Sequence, residues 1–82
     1  MRVFFTKEAC KHFSNLSTTE QLKIKKRAAV LESYPLAGKK LSGKFVGQRA
    51  LRAWPYRIIY YIDNVHKEVW VTSIVHRQGA YK

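Results

Sequence analysis

The segment Tyr56–Ile62, YRIIYYI, constrains the fold more than any other stretch of the chain. At the two-residue period of a strand, Tyr56, Ile58, Tyr60 and Ile62 share one face, and Arg57, Ile59 and Tyr61 share the other. A strand that is greasy on both sides belongs in the interior of a sheet, with a neighbour on each flank. Arg57 is its single exception.

The neighbours are adjacent in sequence. Gln48–Trp54 alternates, with Arg49, Leu51 and Ala53 opposite Gln48, Ala50, Arg52 and Trp54. Lys67–His76 sets Val69, Val71, Ser73 and Val75 opposite Trp70, Thr72, Ile74 and His76. Pro55 fits a turn rather than a ladder, because it has no N–H to donate. Asp63-Asn64 supplies the second turn. Antiparallel pairing of these three segments gathers Arg49, Arg52, Arg57, His76, Arg77 and Tyr81 on one small sheet.

Upstream, Arg2–Phe5 (RVFF) reads as a first strand. Thr6 offers an N-cap hydroxyl, and Ala9, Phe13 and Leu16 follow at helical spacing, which predicts a helix from Lys7 to about Asn15. Ser17 and Glu20 form a capping-box pattern that opens a second helix, Thr18 to about Ser33. Its buried stripe is Ile24, Ala28 and Leu31; Lys23, Lys25, Lys26 and Arg27 read as its solvated side. Pro35 ends it, since the residue before a proline is disfavoured in the helical region. Leu36–Gly47 reads as a loop in which Gly38, Gly43 and Gly47 alternate with Lys39, Lys40 and Lys44. Its spacing matches neither a Walker A nor a dinucleotide fingerprint, so a nucleoside-triphosphate site is not supported. Beside a basic sheet, this loop either follows a phosphate backbone or is a solvated connection.

Strand, helix, helix and three strands make an α+β fold of order βααβββ. A two-helix hairpin covers one face of a small, largely antiparallel, four-stranded sheet, and the basic residues sit on the open face. The 82 residues, 1–82, suffice for one domain and no second one.

Sixteen Lys/Arg against five Asp/Glu give a net charge of +11. A hydrophobic share of 46% separates the chain from disordered basic tails. Such an excess costs self-repulsion and points to a polyanionic partner. The lone Cys10 belongs to no ligand spacing, and His12, His66 and His76 are scattered, so no metal site is expected. No apolar run approaches the ~20 residues of a membrane span, and a reduced, cytoplasmic setting fits best.

LSGKFVGQRALRAWPYRIIYYID resembles the central pattern of the RelE/ParE superfamily of toxins from type II toxin–antitoxin pairs. The matching residues are Leu41 and Gly43, then Leu51-Arg52, then Tyr56-Arg57-Ile58-Ile59-Tyr60. The ending is similar too: His76-Arg77, three residues, Tyr81. The resemblance implies a cognate antitoxin and no cofactor. The superfamily divides between RelE-like toxins, which cut mRNA on the ribosome, and ParE-like toxins, which poison DNA gyrase. The His-Arg-x-x-x-Tyr ending favours the RelE side. On that side Arg57 corresponds to the arginine that stabilises the phosphate, Arg77 to a cation near the leaving group, and Tyr81 to a base-stacking tyrosine. Gln48 and Ala50 stand where RelE has two lysines, so His76 becomes the candidate proton-transfer residue. Arg49, Arg52, Lys40 and Lys44 are candidates for substrate binding.

The chemistry suits these residue types. Metal-free RNA cleavage takes a proton from a 2′-hydroxyl, holds extra charge on phosphorus and delivers a proton to the departing 5′-oxygen. Arginine stays charged and presents a planar fork to phosphate. Histidine can give or take a proton near neutrality. The five acids, Glu8, Glu20, Glu32, Asp63 and Glu68, are spread along the chain, which argues against a carboxylate-bound metal.

Overall fold

Thr6 and Ser17 set the two helices. In the computed structural model, which describes residues 1–76, the Thr6 hydroxyl accepts from the Ala9 amide and opens α1 (Lys7–Ser14). Ser17 and Glu20 close a complete capping box at the start of α2 (Thr18–Ser33). Tyr34 caps α2 just before Pro35, as the proline rule requires. The predicted stripe Ile24, Ala28 and Leu31 is the buried face of α2.

The sheet has five strands rather than four: β1 (Arg2–Phe5), β2 (Lys39–Lys40), β3 (Arg49–Ala53), β4 (Tyr56–Asp63) and β5 (Glu68–His76). Their spatial order is β1-β5-β4-β3-β2. β1 runs parallel to β5 and the other pairs are antiparallel. The additional strand is two lysines long, and lysine is depleted in strands, so no apolar pattern announces it. A single 3-10 turn, Gly43–Phe45, follows it. β4 is the central strand, as its two apolar faces require.

Both helices pack on one face. Ala9, Ile24 and Leu31 meet Leu51, Ile58, Tyr60, Val69 and Val71 in a single core, with Val3, Phe5, Phe13 and Leu16 packed around it. Full burial of each large aliphatic here is worth about 1.5–3 kcal/mol. Lys23 and Arg27 are not merely solvated: Lys23 Nζ donates to the Trp54 carbonyl at 3.0 Å and Arg27 Nε to the Arg52 carbonyl at 2.9 Å, pinning α2 to the end of β3.

One irregularity decides which residues share a face. Ile59 pairs with Ser73 but Tyr60 pairs with Val71, leaving Thr72 as an extra residue in β5. Strict alternation puts Ile74 and His76 on the face of Trp70. The bulge reverses that: Ile74 joins Val69 and Val71 in the core, and His76 pairs with Tyr56 on the helix side.

Candidate functional site: a cationic cleft on the open face

Arg52 and Arg57 are direct cross-strand partners on β3 and β4. Both project from the face opposite the helices, because their neighbours Leu51, Ala53 and Ile58 are buried under the helices. Like charges placed directly opposite destabilise a strand pair by ~0.2–1 kcal/mol. Together with Lys39, Lys40, Leu41, Ser42 and Ala50 they line a cleft of about 370 Å³. β2 forms its outer wall, because Lys39 pairs with Ala50. Among the described residues, four cations and no carboxylate therefore line this hollow. The acids with defined partners are engaged elsewhere: Glu20 accepts the Tyr56 hydroxyl at 2.8 Å, Asp63 is bound to His66, and Glu68 is bound to Arg2 and Trp70.

The wall of this cleft is held by a buried knot that the sequence does not announce. Tyr60 is fully buried. Its hydroxyl donates to the Pro35 carbonyl at 2.7 Å and accepts from the Gly38 amide at 2.9 Å. A Cβ at Gly38 would lie 2.6 Å from that hydroxyl, so glycine is required there for close approach. Arg49 Nη1 donates to the Gly38 carbonyl at 2.8 Å. Gly38, immediately before Lys39-Lys40, is thus held at both its amide and its carbonyl. Burial pushes the Tyr60 phenol above its ordinary pKa, so it stays protonated and can donate.

The other predicted site residues fall in different places. Arg49 faces the helix side and lines a separate hollow of about 350 Å³ with Leu36, Val46 and Ile62. Lys40 borders both hollows. Lys44 lies in the 3-10 turn, with its ammonium 5.8 Å from the Phe45 ring centroid. His76 is exposed at the end of β5, and its ring meets the Tyr56 ring edge-on at 5.4 Å, on the face opposite Arg57. Arg77 and Tyr81 lie outside the described residues. Trp54 is 54% exposed in the turn.

The far end of the sheet carries a second cluster. Among the described residues, Asp63, His66 and Glu68 bring ligand-type atoms within 4.8 Å of one another. Much of their hydrogen-bonding capacity is already used. Asp63 Oδ1 accepts from the Val65 and His66 amides, its Oδ2 lies 2.8 Å from His66 Nδ1, and Glu68 Oε1 accepts from the Trp70 indole. The hydrogen bond to His66 holds the Asp63 carboxyl below its usual value, and Asp63 in turn raises His66. This is the clip of the β4–β5 hairpin.

The model of the ParE toxin of type II toxin-antitoxin systems, parDE, matches residues 3–81. The chain belongs to this toxin family. Its fold extends the kinship to the whole RelE/ParE superfamily. The Mycobacterium tuberculosis RelBE2 toxin–antitoxin complex contains a chain that is 29% identical, with a TM-score of 0.86, covering 93% of this toxin and 96% of that chain. The intact Escherichia coli RelBE complex gives 24% identity and a TM-score of 0.77 over 92% and 94% of the two chains. The chromosomal ParDE system of Pseudomonas aeruginosa gives 18% and 0.67 over 93% and 95%. No curated protein matches the sequence at a significant level. No helix of the described residues is long and apolar enough to cross a membrane.

Proposed function

We propose that this toxin is a RelE-like, metal-independent endoribonuclease that cleaves mRNA on the ribosome and is restrained by a cognate antitoxin. The observation that carries the reading is the Arg52–Arg57 pair inside a four-cation cleft. Arginines on directly paired residues present two planar forks to one anion, and a phosphodiester suits that geometry. The 2′-oxygen attacks the adjacent phosphorus, the 5′-oxygen departs, and a 2′,3′-cyclic phosphate remains. The charge that builds on the phosphoryl oxygens is held by Arg57 and Arg52. Lys39 and Lys40 fix the flanking backbone. Arg77 and Tyr81, next along the chain after β5, are assigned the leaving-group and base-alignment roles, and the proton transfers fall to this segment rather than to His76, whose ring lies on the face opposite Arg57.

A gyrase-directed reading has its own support. The matching family model is that of ParE. Among the described residues, those sharing Arg57's face around the cleft are Lys39, Ala50, Arg52, Ile59, Ser73 and Val75, with neither a histidine nor a carboxylate among them. On that reading the cleft serves only for docking. Primer extension on a translated message, after induction of wild-type toxin and of Arg57→Ala, separates the two. The nuclease reading expects discrete breaks within codons that vanish in the variant. Growth arrest with DNA damage and unbroken messages would replace it with the gyrase reading.

A further inference from the structure

On the open face, one end of the sheet is aromatic and the other cationic. Phe4, Trp70 and Tyr61 stand abreast on β1, β5 and β4, with Trp70 the register partner of both others. Phe4 and Trp70 are stacked, with centroids 5.0 Å apart and planes 25° apart. The Arg2 guanidinium lies 5.0 Å from the Phe4 centroid, on a side chain also held by Glu68 at 3.6 Å. The column Arg2–Phe4–Trp70 therefore ends on the indole side that turns toward β4. There Tyr61 is 38% exposed, although its immediate neighbour Tyr60 is fully buried. Helices cover the opposite face, so this row receives none of their packing. Four residues along β4, about 13 Å at the rise of a strand, separate Tyr61 from Arg57.

We infer that Trp70 and Tyr61 form a base-stacking platform for single-stranded RNA whose phosphates run through the Arg52–Arg57 cleft. The inference rests on the phosphate reading above and adds the recognition of unpaired bases to it. Charge complementarity selects the occupant: the same face carries Lys39, Arg52 and Arg57 on the cleft side of the platform, while Glu68 and Asp63 on its far side are engaged by Arg2, Trp70 and His66. A flat π-surface beside a cationic track is what a single strand engages without regard to sequence, because every base offers a face and every linkage a charge. A duplex hides its base faces and gains nothing from the platform.

The test compares a hexanucleotide single-stranded RNA with an abasic ribose–phosphate oligomer of the same length. Binding is followed by fluorescence in a Trp54→Phe background, where Trp70 is the one remaining indole. The RNA is expected to bind on the order of tenfold more tightly than the abasic oligomer and to quench Trp70. Tyr61→Ala should remove most of that advantage and leave abasic binding and its salt dependence unchanged. Tyr61→Phe should retain it, which separates stacking from a folding defect. Arg57→Ala should weaken both oligomers equally and flatten the salt slope. Equal binding of the two oligomers, or an advantage that survives Tyr61→Ala, overturns the platform while leaving the phosphate reading intact. Failure of both oligomers to bind, or indifference of both to Arg57→Ala, overturns the phosphate reading and the platform with it.

Discussion

Replacing Tyr60 by phenylalanine removes one oxygen and leaves two backbone groups without partners. The Gly38 amide loses its acceptor at 2.9 Å and the Pro35 carbonyl loses its donor at 2.7 Å. Each buried backbone group left unsatisfied costs about 1–3 kcal/mol, and a neutral hydrogen bond contributes near the low end of that range. The ring itself stays, so no cavity adds to the cost. The sum for Tyr60→Phe is about 2–4 kcal/mol, a large share of the ~5–15 kcal/mol that holds a typical domain together. Urea unfolding at neutral pH should show the midpoint falling with no change in slope, and the melting temperature should drop on the order of 10–20 °C. Amide exchange should accelerate first at Gly38. Because Lys39 and Lys40 follow directly, binding of phosphate-bearing ligands should weaken as the cleft wall loosens. A loss below ~0.5 kcal/mol would mean that the hydroxyl is dispensable and that the loop is held by other contacts.

Other perturbations follow from the same contacts. Gly38→Ala drives a Cβ to 2.6 Å from the Tyr60 hydroxyl and 3.0 Å from the Ala50 carbonyl, and should cost about 1–3 kcal/mol in the same unfolding assay. The raised Tyr60 pKa makes stability complete below the ordinary phenol value of ~10, with loss as pH rises through the higher folded-state value. An alkaline melt should therefore show a Tyr60-dependent decline that Tyr60→Phe lacks. At the hairpin clip, raised His66 contributes fully below its unfolded value of ~6.5 and fades as pH climbs through its folded one. Lowered Asp63 contributes above ~3.9 and is lost as pH falls through its folded value. The clip is strongest between the two, and Asp63→Asn should lower the NMR titration midpoint of His66. The Ile74 amide donates to His12 Nδ1 at 3.2 Å, so His12→Leu should raise exchange at Ile74 and cost ~1 kcal/mol.

The helices were legible because their signals are local. Thr6, the Ser17–Glu20 box, the Ile24–Ala28–Leu31 stripe and Pro35 each act within two turns of the backbone, and all four behave as the sequence implies. β4 was legible as the central strand from its two apolar faces. Three features were not. β2 is two lysines held in the sheet by what surrounds them, chiefly the Tyr60–Gly38 knot across more than twenty residues. The extra residue Thr72 reverses the alternation of β5 where neither glycine nor proline marks it, so His76 falls on the face away from Arg57. The cap that His12 places on the Ile74 amide spans 62 residues and leaves no trace in local spacing. Of the candidate site, the Arg52–Arg57 pairing could be read from the two alternating segments and the turn at Pro55. That Lys39 completes the cleft, and that Arg49 is spent on the Gly38 carbonyl, are consequences of tertiary contacts alone.

The most direct measurement is single-turnover cleavage of a message on purified, programmed ribosomes by wild-type toxin and by Arg57→Ala, with unfolding curves recorded for both. Arg57→Ala is expected to keep its stability and lose cleavage by about 10²–10³-fold, the worth of a donor that stabilises developing charge. Cleavage at an undiminished rate in that variant would contradict it, as would intact messages with the wild-type toxin alongside inhibition of gyrase supercoiling.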